Sequence, residues 1–284
     1  MTTNRQFSSA LQALTELKTE TSASPSKENI GAAPALTAVL AELRSLPLEA
    51  LFLGVASDGL PVLLNLYEPH PGPMLIAGDA GSGKTTFLQT IAHSVVQTHS
   101  PDDLQFGVIT NYPDEWQNLG ETPHGVGVFP VGNPGVQEFM HSLVAWAHSN
   151  RNTHSCMLLL VDDLESFASL DLEAVQNFRW LLLRGPARRV WPIVTLNAPR
   201  YGQVIAWLQN FRTRVFGRIA NARVAEALSG GKTSALDQLE AGIQFSLREK
   251  DKRSSPVDRR STTVPVLFGS PVKENWLRFW LPSC

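Results

Sequence analysis

The chain has 284 residues, of which 43% are hydrophobic and 18% are charged, and its formal net charge is −2. This composition supplies a sizeable apolar core and excludes a wholly disordered chain, while the net charge excludes a protein that is basic over its whole surface. Two cysteines, Cys156 and Cys284, cannot form a disulfide framework, so we expect a reducing, cytoplasmic setting.

The first 35 residues predict a flexible tail that contains one short helix. Residues 7–18 place four apolar side chains on one helical face, and residues 21–35 have the Ser-, Pro- and Ala-rich composition of a linker. A solvated tail and a docking helix both fit this pattern. Residues 36–284 are expected to form one folded domain that opens with a helix over 36–46.

Short apolar runs then alternate with helical patterns. A hairpin is predicted around Asp58-Gly59, and a mobile charged loop at about 248–261. The predicted strands are 74–78, 106–110, 126–131, 157–163, 192–198, 214–219 and 263–269. The predicted helices are 84–97, 134–149, 171–184, 202–209 and 221–228. This alternation predicts an α/β fold with a mostly parallel central sheet flanked by helices.

The segment Gly78–Thr85 reads GDAGSGKT and matches the pattern G-x-x-x-x-G-K-[ST]. A strand is predicted before it and a helix after it, the context in which this pattern binds nucleotide phosphates. The backbone N–H groups and the helix N-terminus favour an anion there. We expect Lys84 to reach the β- and γ-phosphates of ATP and the Thr85 hydroxyl to bind Mg²⁺. The residues expected to hold the nucleotide are Gly78, Asp79, Ala80, Gly81, Ser82, Gly83, Lys84, Thr85 and Thr86.

A second motif, MLLLVDD, is an apolar strand that ends in two aspartates, about 80 residues after the phosphate loop. Ligands of open α/β sheets bind at the carboxyl ends of strands, so Asp162 is the expected Mg²⁺ ligand. Asp163 is expected to orient and deprotonate the attacking water. Glu165 is a reserve candidate for this base, although a solvated position is the simpler interpretation.

The stretch between Glu173 and Glu226 is rich in arginine and contains no other charged residue. Its nine arginines are Arg179, Arg184, Arg188, Arg189, Arg200, Arg212, Arg214, Arg218 and Arg223. The stretch carries +9, and the remainder of the chain carries −11. Such arginines can contact a neighbouring subunit's nucleotide, the phosphates of nucleic acid or an acidic protein surface, and scattered surface positions remain the alternative for at least half of them.

Five segments, in their order and spacing, resemble the FtsK/HerA superfamily of P-loop ATPases, and within it the FtsK/SpoIIIE branch. The segments are PGPMLIAGDAGSGKTTFLQTI, LLLVDDLESF, RGPARRVWPIVTLNAP, NFRTRVFGRIANARVAEALSGG and LDQLEAGIQFSL. The resemblance covers about residues 51–247. The resemblance implies a RecA-like core, a ring-shaped hexamer and ATP-driven movement of DNA or protein. The membrane-spanning and winged-helix regions of true FtsK proteins have no counterpart in these residues.

By position, the resemblance implies that Asn197 senses the γ-phosphate and that Arg214 acts across a subunit interface. Arg188 and Arg189 are the runners-up for that arginine. The chain departs from the family pattern at Asp163, where the family has a glutamate, and at Asn197, where it has a glutamine. Ala198 replaces the family's arginine, and Gly242-Ile243-Gln244 replaces its glycine–aspartate pair.

Three functions are therefore compatible with the sequence. The first is a ring-forming, DNA-handling motor ATPase, with double-stranded DNA and a membrane or nuclease protein on another chain as partners. The second is a slow nucleotide switch or scaffold, which the shorter Asp163 favours. The third is a protein-secretion ATPase. All three require ATP, Mg²⁺ and a homo-oligomer.

Overall fold

The computed structural model describes residues 34–43, 46–150, 154–167, 170–231, 235–248 and 276–283. Its strands are β1 Ala50–Ala56, β2 Pro61–Asn65, β3 Met74–Gly78, β4 Leu104–Thr110, β5 Gly125–Pro130, β6 Cys156–Val161, β7 Val190–Asn197, β8 Thr213–Phe216, β9 Gln244–Arg248 and β10 Trp276–Trp280. Its α-helices are α1 Leu36–Glu42, α2 Lys84–Thr98, α3 Gln117–Gly120, α4 Pro134–Ser149, α5 Leu164–Phe167, α6 Leu172–Arg184, α7 Ile205–Leu208 and α8 Ala222–Ser229.

The described strands form one sheet in the order β2-β1-β10-β9-β8-β3-β7-β6-β4-β5. The six strands from β8 to β5 run parallel, and the four from β9 to β2 continue the sheet in antiparallel pairs. The predicted α/β fold with a mostly parallel centre is confirmed. The parallel half matters most for function, because the carboxyl ends of its strands meet at one edge.

Helices cover both faces of the parallel half, as its apolar strands require. Along β3, Leu75 and Ala77 join the apolar cluster under α4 and α6, whereas Met74 and Ile76 join the cluster under α2. Every residue of β3 and of β6 is buried. This two-sided burial fixes the strand register and therefore the residue with which each strand ends.

Several sequence predictions differ from the structure. The helix predicted at 202–209 is a 3₁₀ turn over Ala198–Val204 followed by the single α-turn of α7, because Pro199 and Gly202 disfavour a continuous α-helix. The strand predicted at 214–219 ends at Phe216, where Gly217 follows. The helix predicted at 36–46 ends at Glu42.

Other predictions fall where the structure gives no description. Four predicted segments lie outside the described residues. They are the N-terminal helix 7–18, residues 21–33 of the linker, residues 249–261 of the charged loop and the strand 263–269. Strand β10, which the sequence patterns did not reveal, joins β1 to β9. Among the described residues, none of the helices combines the length and the apolar character that crossing a membrane requires.

Candidate active site

The phosphate-loop motif forms the turn between β3 and α2. Gly81 and Gly83 have φ values of 73° and 87°, a region that residues with a side chain rarely adopt. A Cβ at Gly83 would lie 2.5 Å from the Gly242 carbonyl oxygen, so glycine is also required there by the close approach of another loop. The helix that follows begins at Lys84, as the motif predicts.

The loop is held to the segment that follows β8. The Asp79 amide donates to the Arg218 carbonyl at 2.9 Å, and the Asp79 carboxylate accepts from the Ala220 amide at 2.8 Å. The ammonium of Lys84 donates to the Asp79 carbonyl oxygen at 2.8 Å. Ala80, Gly81 and Thr86 are exposed, so the rim of the loop faces solvent, where a nucleotide can approach.

The acidic motif lies directly beside the loop. The Thr85 hydroxyl donates to Asp162 Oδ2 at 2.9 Å, and the Asp162 amide donates to the Ile109 carbonyl of the neighbouring strand β4 at 2.8 Å. Only 4% of Asp162 is exposed. The two residues predicted as metal ligands, 77 positions apart in sequence, are thus in direct contact.

Thr195, which the sequence analysis missed, completes this contact. Its hydroxyl donates to Asp162 Oδ1 at 2.8 Å and accepts from the Asp163 amide at 2.7 Å. Thr195 is wholly buried in β7. The signal in the sequence is one polar residue inside the apolar run 192–196, which is too common a feature to identify a functional position by itself.

Lys84 lies among four carboxylates. Burial lowers the pKa of Lys84, and the charges of Asp163, Asp162, Glu165 and Asp79 oppose that shift. Four negative charges around one lysine repel a triphosphate unless a cation accompanies it. The electrostatics of the loop therefore favour a nucleotide that arrives with a divalent metal ion.

Asp163 has a strained backbone and a perturbed carboxyl group. Its φ is 78°, a left-handed value that few residues with a side chain adopt, although aspartate does so more often than most. Burial and then the charge of Asp162 raise the pKa of Asp163, while Lys84 and Arg200 oppose the shift. A base with a raised pKa accepts a proton more readily than an ordinary aspartate.

Glu165 is buried, so the expectation of a solvated side chain is wrong. Its side chain is 3% exposed, and its nearest cation is Arg200, with Nη1 3.9 Å from Oε1. Burial raises the pKa of Glu165, with the charge of Asp163 acting in the same direction. The amides of Glu165 and Asn197 favour the ionised form, but neither carboxylate oxygen has a partner in hydrogen-bonding geometry within the described residues.

Asn197 ends β7 beside the phosphate loop. Its Cα pairs with that of Gly78 across the parallel ladder, and its Oδ1 is buried with no hydrogen-bond partner in the part of the chain that the structure describes. The position fits a polar side chain that responds to a bound phosphate. That role stays a prediction.

Arg214 lies apart from the phosphate loop. Its guanidinium donates to the carbonyls of Leu228, Leu208 and Phe211, at 2.6, 2.7 and 3.4 Å. In the sheet Arg214 is in register with Leu75, near the amino-terminal end of β3. Its role at a subunit interface stays a prediction, and these contacts offer a structural alternative.

The runners-up, Arg188 and Arg189, precede β7 and so lie at the amino-terminal edge of the parallel strands. The Arg189 guanidinium lies over the Tyr67 ring, 3.7 Å from its centroid. By contrast, Arg200 and Arg218 are exposed and follow the carboxyl ends of β7 and β8. These two arginines, rather than the runners-up, share an edge with the loop.

Comparisons with known proteins agree with this geometry. The FtsK/SpoIIIE family model matches residues 47–176, which include the phosphate loop and the acidic motif. The ESX-5 secretion system protein EccC5 of Mycobacterium marinum is 33% identical over 81 residues, or 28% of this chain and 6% of that protein. The chain thus spans a small fraction of that relative.

Solved structures share the fold at low sequence identity. The cytoplasmic domain of the type VII secretion ATPase EccC of Thermomonospora curvata superimposes with a TM-score of 0.68 at 16% identity, covering 89% of this chain and 32% of that one. ATPases 2 and 3 of the same organism's EccC, in complex with a signal sequence peptide, give a TM-score of 0.65 at 14% identity, covering 93% and 45%. The expected RecA-like core is confirmed, and the chain carries a P-loop ATPase domain that is similar to the FtsK/SpoIIIE family over residues 47–176.

Proposed function

We propose that this domain is a Mg²⁺-dependent motor ATPase that acts as a homo-oligomer and moves a protein chain. The observation that carries the proposal is the direct contact of Thr85 with Asp162 beside the phosphate loop. In this assignment Lys84 binds the β- and γ-phosphates, Asp163 accepts the proton of the attacking water and Asn197 responds to the γ-phosphate.

The residues present suit Mg²⁺. The hydroxyl of Thr85 and the carboxylate of Asp162 are oxygen ligands, and Mg²⁺ in such sites is bound by one or two protein groups together with substrate phosphates. No cluster of three His, Cys, Asp or Glu side chains that could bind a metal occurs among the described residues, which agrees with a site completed by the nucleotide. When bound, the ion neutralises phosphate charge.

The chain's own groups act mainly by position and charge. The ammonium of Lys84 is partly desolvated, so its attraction to phosphate is stronger than at an open surface. Asp163 lies at the end of β6, where its raised pKa suits a proton acceptor. Both groups therefore contribute to hydrolysis without forming a covalent intermediate.

A protein substrate is favoured over DNA by two observations. The curated relative with 33% identity is named as a secretion system protein. The arginine stretch also fails to gather on one surface: Arg189 stacks on Tyr67, Arg214 binds carbonyls, and Arg179 lies over Trp207 at 5.0 Å. A groove for a nucleic-acid backbone needs a continuous row of such charges.

DNA remains the second candidate. The observation in its favour is that six arginines of the stretch are exposed, namely Arg179, Arg184, Arg200, Arg212, Arg218 and Arg223. A double-stranded DNA substrate contacted by these residues would bind with a steep dependence on salt concentration.

The test is the steady-state rate of ATP hydrolysis under three conditions: the chain alone, with a synthetic signal-sequence peptide from a type VII secretion substrate, and with linear double-stranded DNA at two salt concentrations. Sedimentation with and without ATP and Mg²⁺ reports assembly. Stimulation by peptide supports the protein-moving motor, and stimulation by DNA that weakens with salt supports the second candidate. Nucleotide-dependent assembly without turnover would replace the motor with the switch.

A further inference from the structure

Thr195 occupies an unusual position for a polar residue. It lies in the middle of the parallel sheet, in β7, with its Cα paired with that of Ile76 in β3. It is wholly buried, and β7 is otherwise apolar from Pro192 to Leu196. A hydroxyl in such a place costs free energy unless it forms hydrogen bonds, so the contacts that Thr195 makes are informative.

The hydroxyl joins two groups that the proposed mechanism needs. It donates its proton to Asp162 Oδ1 at 2.8 Å and accepts the Asp163 amide proton at 2.7 Å. One hydroxyl can do both, because it has one donor and two acceptor sites. Since the Thr85 hydroxyl donates to the other oxygen of Asp162, each oxygen of that carboxylate accepts a hydrogen bond, and the two bonds together fix its orientation.

The second contact concerns backbone strain. Asp163 has a φ of 78°, which lies in the left-handed region that few residues with a side chain adopt. Such a conformation persists when surrounding contacts determine it. The bond from the Asp163 amide to Thr195 is such a contact, and it fixes the direction in which the Asp163 side chain leaves the backbone.

We propose that Thr195 is a positioning residue for hydrolysis: it orients the Asp162 carboxylate and holds the left-handed turn at Asp163 without touching the nucleotide. The inference rests on the proposed roles of these two aspartates. Valine has nearly the same shape as threonine, so Thr195→Val removes the two hydrogen bonds and little else.

The first measurement needs neither metal nor nucleotide. Hydrogen–deuterium exchange of the peptide that contains Asp163 reports the amide bonded to Thr195. We expect this amide to exchange about 2- to 10-fold faster in Thr195→Val, because a lost hydrogen bond of ordinary strength changes an opening equilibrium by that factor. Thr195→Ser, which keeps the hydroxyl, should exchange like the parent chain.

The second measurement separates binding from turnover. Thr195→Val should bind a fluorescent ATP analogue within about threefold of the parent and lose about 10- to 100-fold in kcat, the usual effect of removing a group that orients a metal ligand. It should also need more Mg²⁺ for half-maximal activity. Thr195→Ser should recover most of kcat.

A matched control is Thr110→Val. Like Thr195, Thr110 is wholly buried; it ends β4, and its hydroxyl accepts the Tyr112 amide at 3.0 Å. Within the described residues its side chain forms no hydrogen bond with either aspartate. Its valine variant should retain kcat. If Thr195→Val fails to fold, Thr195→Ala, compared with Thr195→Ser, provides the same test.

Any of three results would overturn the inference alone. One is an active parent chain with a Thr195→Val kcat within twofold of it, and another is a Thr195→Ser variant as impaired as Thr195→Val. Unchanged exchange of the Asp163 amide would also do so. A parent chain that hydrolyses no ATP would instead overturn the proposed function and this inference together.

Discussion

The two edges of the parallel half of the sheet use arginine differently. At the amino-terminal edge, Arg189 stacks on Tyr67 and Arg214 binds three backbone carbonyls. At the carboxyl-terminal edge, Arg200 and Arg218 are exposed beside the phosphate loop. The same residue type therefore binds protein groups at one edge and is exposed at the other, where Arg200 also lies 3.9 Å from Glu165.

The three acidic residues that follow β6 lie at a single edge of the parallel half. Asp162, Asp163 and Glu165 all follow β6 and collect at the carboxyl-terminal edge, where Lys84 begins its helix. This separation follows from parallel strands, whose carboxyl ends share one edge. Changes at this edge should alter hydrolysis, whereas changes at the opposite edge should alter stability.

The largest effect is expected for Lys84→Ala. It removes the charge that faces the phosphates, so ATP binding should weaken strongly and hydrolysis should fall by at least about 10²-fold. Arg184→Ala, which removes an exposed positive charge from α6, is the control and should retain activity. Wild-type turnover by the Lys84 variant would refute the assignment of this loop as the active site.

The next effect concerns Asp163. If it is the base, Asp163→Asn should still bind ATP but lose about 10²- to 10⁴-fold in hydrolysis rate. Asp163→Glu should keep or raise the rate, since it restores the longer side chain of the family pattern. Single-turnover measurements separate ATP binding from hydrolysis. Parent-like rates in both variants would assign the base to Glu165 instead.

Arg214→Ala tests the opposite edge. Loss of its three hydrogen bonds should lower the free energy of unfolding by about 2–4 kcal/mol, with turnover per folded molecule unchanged. Denaturant unfolding and a mixing assay check this. If a mixture of Arg214→Ala and Lys84→Ala subunits regains activity, Arg214 acts on a neighbouring subunit instead. Alanine variants of Arg200, Arg188 and Arg189 can be tested in the same mixing assay.

The smallest effect is expected for Glu165→Gln. Burial raises the pKa of Glu165 above its ordinary value of 4.5, so the folded state binds this proton more tightly than the unfolded state. The stabilisation from protonation is complete below the unfolded pKa and is lost as pH rises through the raised folded pKa. Glutamine should therefore increase stability at neutral pH and flatten this part of the pH profile; an equal decline with pH in both chains would contradict the assignment.

Local sequence patterns predicted the parts of the site that lie within one segment. The strand–loop–helix at Gly78–Thr85 and the acids that end β6 follow from hydrophobic pattern and motif alone. Thr195 was missed, and Arg200 was not singled out among the nine arginines, because their importance comes from a neighbouring strand. Nothing near either residue in sequence reveals that β7 lies between β3 and β6.

The same limit applies to the fold. Apolar runs predicted the buried parallel strands well, because burial on both faces leaves a continuous signal. Strand β10 was missed, since its pattern is mixed and its partners β1 and β9 lie far away in sequence. The burial of Glu165 was also not predictable, because its surroundings come from α5 and the turn after β7.

The most direct test of the account compares two ends of one helix. The affinity for a fluorescent ATP analogue should be measured with and without Mg²⁺ in the parent chain, in Thr85→Val and in Thr98→Val. Thr98 lies at the far end of α2, where its hydroxyl donates to the Ser94 carbonyl at 2.7 Å. Mg²⁺ should strengthen binding by the parent chain and by Thr98→Val, whereas Thr85→Val should lose this dependence. An unchanged Mg²⁺ effect in Thr85→Val would contradict the assignment of the Thr85–Asp162 pair as the metal-binding centre of the ATPase.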